Sequence, residues 1–366
     1  MAISRYVYPG GNTRYGFYSF YNYMVGPEVE QKIILKGGPG VGKSSFMNKV
    51  GQDFARLGVD IEQHGCSSDT DSLDGIVIGK QQFCLVDGTS PHIIDPLYPG
   101  AVDEILNFGD FWDEQVIKAH RKQIIQLTRE VSRCYAQAYS RLQESALAQD
   151  ELKSYYAESQ DSKPLNRNIQ ALTADYLAGS VSDYRPARHL FGGALTPGGL
   201  ITKLDTLINN QTAVFAVKGS PGAGVQDLFA HTQHLIARGG VYAEIFHNPL
   251  DPNDIDYILV PSSNALLIDM GSSLLPYKEL LKGMKLKRQL DFDQLLDNEG
   301  VAKRAKLIFA ATHRFTQGLS DAIQILQTAK KRHDELEDYY VPAMDFEAIE
   351  ARRQQIVASW LQRLGL

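Results

Sequence analysis

The residues best equipped for chemistry lie early in the chain, in Gly37-Gly38-Pro39-Gly40-Val41-Gly42-Lys43-Ser44-Ser45. Glycines at this spacing let successive backbone N–H groups turn inward, because a residue without a Cβ reaches conformations closed to others. Such a concave set of donors suits a dense anion. The apolar run Ile33-Ile34-Leu35 just before it reads as a short buried strand, and Ser45 to Leu57 has a helical pattern. A helix beginning there adds unpaired N–H groups and partial positive charge. In that setting Lys43 reaches the terminal phosphates of a polyphosphate as a mobile point charge, and the Ser44 hydroxyl ligates Mg²⁺. The candidate nucleotide-binding set is therefore Gly38, Pro39, Gly40, Val41, Gly42, Lys43, Ser44 and Ser45.

A metal opposite Ser44 needs an acid. Phe83-Cys84-Leu85-Val86-Asp87 is four apolar residues ending in one, a strand that delivers Asp87 to its C-terminal end, where it accepts from metal-bound water. Ser44 and Asp87 form the candidate metal set. Gly88-Thr89-Ser90-Pro91-His92 follows at the strand end where ligands of open α/β sheets bind. Thr89 and His92 join Lys43 and Asp87 as candidate catalytic residues, contacting the γ-phosphate or attacking water; a local hydrogen-bonded turn is the alternative reading. No glutamate directly follows Asp87, so the usual base of many hydrolysing ATPases is not found there.

The chain is written twice. Lys36 to Gly42 recurs as Lys218-Gly219-Ser220-Pro221-Gly222-Ala223-Gly224, an offset of 218 − 36 = 182 that also pairs Asp69 with Asp251, Asp74 with Asp256 and Asp87 with Asp269. Lys43 becomes Val225 and Ser44 becomes Gln226, while Thr89 becomes Gly271 and His92 becomes Leu274. The second loop keeps its glycines and loses the ammonium and hydroxyl, so it reads as a pseudo-site. Two domains follow, residues 1–180 and 186–366, with Gly179 to Pro186 as linker.

Within each copy an amphipathic helix is expected before the first strand of the loop. It is drawn from the aromatic cluster Tyr15 to Tyr23 in one copy and the spacing of Leu200, Leu204, Leu207 and Ile208 in the other. Asp113 to Tyr156 and Val301 to Tyr340 read as long helical arms. Asp95, Asp103 and Glu104 are further carboxylates that could include a base. The totals are those of a soluble globular chain: 366 residues, 22% charged and 43% hydrophobic. A net charge of -6 argues against an electrostatic grip on nucleic acid. No apolar run is long enough to cross a bilayer and the N-terminus lacks an apolar signal core, so the expected location is the cytoplasm. Cys66, Cys84 and Cys134 show neither C-x-x-C pairing nor partnering histidine spacing, which argues against a disulfide framework or a zinc site. Cys66 follows a predicted strand, a position from which it could face the site.

The loop resembles the Walker A sequence of P-loop NTPases, and the strand ending in Asp87 resembles Walker B. Taken with GGNT near the start, VDGTSPH and YPGAVDE, the whole pattern is similar to uncharacterised bacterial ATPase-like proteins of about this length. The resemblance implies an α/β fold of two tandem P-loop domains, each a mainly parallel sheet flanked by helices with a helical extension. It also implies ATP or GTP with Mg²⁺ as ligands. The expected function is an NTPase with one intact site that hydrolyses ATP. Two alternatives stay open: a kinase passing the γ-phosphoryl to a small-molecule acceptor held near Asp69, Thr89 and His92, and a nucleotide-gated binding module with little turnover.

Overall fold

The computed structural model describes residues 4–271 and 274–366. The first half forms β1 (Ser4–Val7), β2 (Gly10–Thr13), β3 (Gly16–Ser19), β4 (Gln31–Lys36), α1 (Lys43–Arg56), β5 (Ile61–Gly65), β6 (Leu73–Ile78), β7 (Phe83–Asp87), β8 (Asp103–Asn107), α2 (Glu114–Ala119), α3 (Arg121–Ala157) and α4 (Ser162–Leu177). The second half forms β9 (Arg188–Phe191), β10 (Ala194–Thr196), β11 (Gly199–Ile201), β12 (Ala213–Lys218), α5 (Val225–Gly239), β13 (Glu244–His247), β14 (Ile255–Val260), β15 (Ala265–Asp269), α6 (Tyr277–Leu280), β16 (Leu286–Asp291), α7 (Asn298–Lys303), α8 (Ala305–Glu337) and α9 (Phe346–Leu364).

Among the described residues these strands build two six-stranded sheets, ordered β1-β5-β6-β7-β4-β8 and β9-β13-β14-β15-β12-β16. The two orders are the same when each strand is matched to its repeat. Strand β6 runs antiparallel to β5 and β7, and β14 runs antiparallel to β13 and β15; the other pairings are parallel. The turn between β6 and β7 is too short for a helical crossover, which forces that reversal. Ile33, Ile34 and Leu35 of β4 are wholly buried, the pattern of a strand covered on both faces. Register places Leu35 opposite Asp87 and, in the repeat, Val217 opposite Asp269.

The chain divides into two compact units: one holds the residues up to Gly10, Ser19–Gln137 and Gln324–Leu366, and the other holds Gly11–Tyr18 and Ala138–Ile323. Each sheet is thus completed by a helix from the other half of the sequence. In the first unit, Ile349, Ile356, Val357 and Trp360 of α9 enter a core with Ile33, Leu35, Phe54, Phe83 and Leu85. Trp360 stacks on Phe83 with centroids 4.7 Å apart and donates from its indole N–H to Gln31 at 2.8 Å. In the second unit, Leu165, Ile169, Leu172 and Tyr176 of α4 enter the core with Phe215, Leu228 and Phe229. The Tyr176 hydroxyl donates to the Ile258 carbonyl at 2.8 Å.

The amphipathic helix expected before β4 is instead a β2–β3 hairpin and a short 3-10 turn at Tyr21–Tyr23; the repeat has β10, β11 and a 3-10 turn at Leu204–Thr206. Gly16 at φ +90° and Gly199 at φ +103° take left-handed turn conformations that reverse the chain before a helix can start. The Thr13 hydroxyl donates to the Gly16 carbonyl at 2.9 Å, and Thr196 does the same to Gly199 at 2.8 Å. The long arms are each interrupted near their start, at His120 and Arg304, so that short helices α2 and α7 precede α3 and α8. Among the described residues no helix is long and apolar enough to cross a membrane.

In the second unit His189 Nδ1 and His247 Nε2 lie 2.8 Å apart. Burial, reinforced by His189, pushes the His247 imidazole down to about 4, and burial also lowers His189. Between about pH 4 and 6.5 the unfolded chain binds a proton at His247 that the folded chain refuses, so this group's contribution to stability is lost as pH falls through that window. Its slope is about 1.4 kcal/mol per pH unit. Burial raises Asp256 to about 6, which works in the opposite sense, so the informative quantity is the difference between variant and wild type. Urea unfolding from pH 7 to 4 should show a shallower loss of stability in His247→Gln than in the wild type; equal slopes would remove His247 from the acid response.

Candidate functional site

In the first unit the loop leaves β4 and enters α1 through Gly42, which caps the helix in the left-handed region at φ +92°. Gly40 is also left-handed, at φ +66°. Lys43 opens the helix and its ammonium donates to the carbonyls of Gly37 at 3.1 Å and Gly38 at 2.8 Å. The same ammonium lies 3.6 Å from Asp87 Oδ2. The parallel pairing of β4 with β7 is what brings the ends of those strands, and hence Lys43 and Asp87, together. Ser44 Oγ accepts from the Leu73 N–H at 2.9 Å, which leaves the hydroxyl a further lone pair and a proton. Asp87 Oδ1 accepts from the Thr89 N–H at 2.8 Å and from the Thr89 hydroxyl. Thr89 therefore orients Asp87.

The loop is packed from one side by the segment joining α8 to α9. A Cβ on Gly38 would meet the Tyr340 ring at 2.8 Å, one on Gly40 would meet Glu337 Cβ at 2.9 Å, and one on Gly42 would meet Phe346 at 3.3 Å. Glycine at these positions thus serves close approach as well as backbone freedom. Gly40→Ala should lose at least about 1–2 kcal/mol from the left-handed conformation alone, with the Glu337 clash added to it. Gly58 has φ +82° and open space around it, so Gly58→Ala carries the backbone cost by itself. Chemical denaturation should rank Gly40→Ala clearly below Gly58→Ala; equal losses would mean that the 337–346 segment does not pack on the loop.

The second unit repeats the geometry with altered chemistry. Gly224 is left-handed at φ +107° and caps α5. Gln226 replaces Ser44 and spends both polar atoms on Ile255, accepting from its N–H at 2.9 Å and donating to its carbonyl at 3.0 Å. Ile255 is the repeat of Leu73, so the backbone contact survives while the hydroxyl does not. Asp269 Oδ1 accepts from the Gly271 N–H at 2.8 Å, as Asp87 does from Thr89. A cavity of about 550 Å³ lies beside this second loop; a cavity of about 280 Å³ adjoins Gly42 and Ser45 in the first unit, where Glu350 pairs with both Lys49 and Arg353 of its wall. Volume and charge point in opposite directions. Among the described residues the larger cavity is lined by Asp227, Asp254, Asp256 and Asp269, with Lys153 as its one cation, held by Asp254 at 2.6 Å. Four carboxylates repel a polyphosphate, so the volume of this cavity does not suit it to one.

His92 has partners of its own. It is buried, stacked on Tyr21 with centroids 5.2 Å apart, and its Nε2 is 3.5 Å from Asp74 Oδ1. The Tyr21 hydroxyl donates to Asp74 Oδ2 at 2.7 Å. Cys66 completes the cluster: its thiol is pushed well up by burial, then by the neighbouring Asp74, to which it is hydrogen-bonded. Burial raises the Asp74 carboxyl, opposed by His92 and Tyr21. A thiol held protonated in this way is not a nucleophile. The remaining sequence candidates have other partners. Asp103 accepts from the Leu97 and Tyr98 N–H groups at 2.7 and 2.6 Å and pairs with Lys32, Glu104 pairs with Arg352 at 2.7 Å, and Asp69 accepts from Ser72 at 2.9 Å.

Sequence reasoning singled out His92 and Cys66 separately and passed over their convergence on Asp74. Their spacing follows no local motif, since the three residues sit at the end of β5, in β6 and after β7. A usable signal was present in the repeat, where Cys66 becomes Asn248 and His92 becomes Leu274 while Asp74 persists as Asp256. No family model matches this chain, and no curated protein or solved structure matches it.

Proposed function

We propose that this chain is a P-loop NTPase with one working site for an Mg²⁺–nucleoside triphosphate, in the unit that carries Lys43. The observation that carries the reading is that Lys43 and Ser44 open a helix capped by a left-handed glycine, with the Lys43 ammonium 3.6 Å from Asp87. Lys43 at present bonds loop carbonyls, contacts that phosphate oxygens would replace with a stronger charge-assisted pairing. Ser44 and Asp87 would supply the hard oxygen donors that suit Mg²⁺. A bound cation would supply charge neutralisation to the polyphosphate. Backbone N–H groups of Gly40 to Ser45 hold the polyphosphate, and Thr89 keeps Asp87 oriented. The function is ATP binding with hydrolysis of the γ-phosphate.

One observation favours a second reading, a nucleotide-gated module. Glu337, Tyr340 and Phe346 pack against the loop glycines, so phosphate occupancy is felt directly by the segment that joins α8 to α9. A kinase acceptor site near Asp69, Thr89 and His92 gains less support, because each of those side chains is engaged within the protein. Steady-state phosphate release from ATP·Mg²⁺ tests the enzyme reading. Turnover in the wild type that disappears in Asp87→Ala supports it, whereas tight ATP binding without phosphate release supports the module. ATP that neither binds nor turns over ends both.

A further inference from the structure

The cluster of Cys66, Asp74 and His92 in the first unit has the composition and spacing of a metal centre. Each is buried, and one ligand atom from each, the Cys66 sulfur, an Asp74 carboxylate oxygen and a His92 ring nitrogen, lies within 4.8 Å of the other two. The Asp74–His92 separation is 3.5 Å. Zinc bonds of 2.0–2.3 Å put the ligand atoms of a tetrahedral site about 3.3–3.7 Å apart, so one edge is already at length and the others need only small side-chain movement. We propose that these three residues bind a divalent cation of the zinc class, distinct from any Mg²⁺ held by Ser44 and Asp87.

The donor set argues for the class. One sulfur, one imidazole nitrogen and one carboxylate oxygen form a mixed set that suits a borderline cation, whereas Mg²⁺ takes oxygen and keeps its waters. Three protein ligands leave a fourth position for water or an exchangeable anion, the arrangement of reactive rather than purely structural zinc sites. The cation would take the place of the thiol proton that Cys66 now shares with Asp74, releasing one proton per metal bound. Tyr21 is the positioning residue: its hydroxyl fixes Asp74 Oδ2 and leaves Oδ1 turned toward His92. Asp74 follows Leu73, whose N–H bonds Ser44, so the centre adjoins the phosphate site in the chain. In the repeat, Asn248 and Leu274 cannot supply the sulfur or the nitrogen, and the Asn248 amide donates to Asp256 at 2.8 Å. One cation per chain is therefore expected.

Cobalt is the probe, because thiolate-bound Co²⁺ absorbs in the near ultraviolet and tetrahedral Co²⁺ gives intense visible bands. Full-length protein stripped with chelator and titrated with Co²⁺, in the absence of nucleotide, should develop both bands with an endpoint of one per chain, and Zn²⁺ should bleach them. Cys66→Ser should remove the thiolate band, while Cys84→Ser and Cys134→Ser keep it. Tyr21→Phe should keep the bands but weaken Co²⁺ affinity about 10–100-fold. Should Cys66→Ser fail to fold, His92→Gln retains all three cysteines and should lose the intense tetrahedral bands. Absence of a thiolate band in the wild type, or its persistence in folded Cys66→Ser, would overturn the proposal. Because Lys43 and Asp87 are outside the cluster, the result is independent of whether ATP binds.

Discussion

ATP·Mg²⁺ is expected to stabilise this protein if the proposed NTPase reading holds, and Lys43→Ala is expected to abolish that stabilisation, whereas Val225→Ala and Gln226→Ala leave it intact. A ligand present at about 100 times its dissociation constant stabilises the folded state by roughly 2.7 kcal/mol, enough to raise the unfolding temperature by a few degrees in a chain of this size. The Lys43 ammonium lies on the loop carbonyls of Gly37 and Gly38 and beside Asp87. Removing it leaves the glycine cradle in place but subtracts the point charge that, on the proposed reading, would answer the β- and γ-phosphates. The corresponding change in the repeat subtracts nothing, because Val225 is apolar and Gln226 is already committed to Ile255. Thermal unfolding with and without nucleotide reads the effect. Equal shifts in wild type and Lys43→Ala would contradict it.

Truncation after Asp345, which removes α9, should unfold the first unit. The helix buries Ile349, Ile356, Val357 and Trp360 in a core built otherwise from the first half of the chain. At about 1.5–3 kcal/mol per buried apolar side chain, the loss is roughly 6–12 kcal/mol, comparable to the whole stability of a typical domain, about 5–15 kcal/mol. The polar anchors go with it: Arg353 pairs with Asp53, and Arg352 with Glu104 at 2.7 Å. Trp360→Ala is the milder version, with an expected cost of about 3–5 kcal/mol. Native-state hydrogen exchange should show the protection of β4 and β7 amides collapsing in the truncated chain. Protection at wild-type levels would mean that the first sheet does not depend on α9.

These two results bear on what could be read from the sequence. The glycine loop, its strand and its helix were legible because loop chemistry and apolar burial are both local: Gly42 must be left-handed, and Ile33 to Leu35 have no polar face to show to water. The repeat was legible because the offset holds across loops and strand ends. The exchange of α4 and α9 between the two sheets was not. Duplication gives each helix two related cradles, and the apolar pattern of Ile349, Ile356 and Trp360 fits either one; choosing between them depends on where α3 and α8 deliver the chain. The hairpin at β2 and β3 was misread because a short aromatic run satisfies a helical spacing as readily as an alternating one. Gly16, with its left-handed backbone, was the residue that should have decided it. The Cys66–Asp74–His92 cluster was missed because its members are gathered by strand order and not by spacing.

The central claim is an asymmetry between two folds of the same strand order: one loop carries Lys43 and Ser44, and its repeat carries Val225 and Gln226 among carboxylates. Equilibrium titration of the full-length chain with labelled ATP in the presence of Mg²⁺ tests it most directly. The prediction is saturation at one nucleotide per chain, lost in Lys43→Ala and unchanged in Gln226→Ala. Saturation at two, or no binding at all, would contradict it.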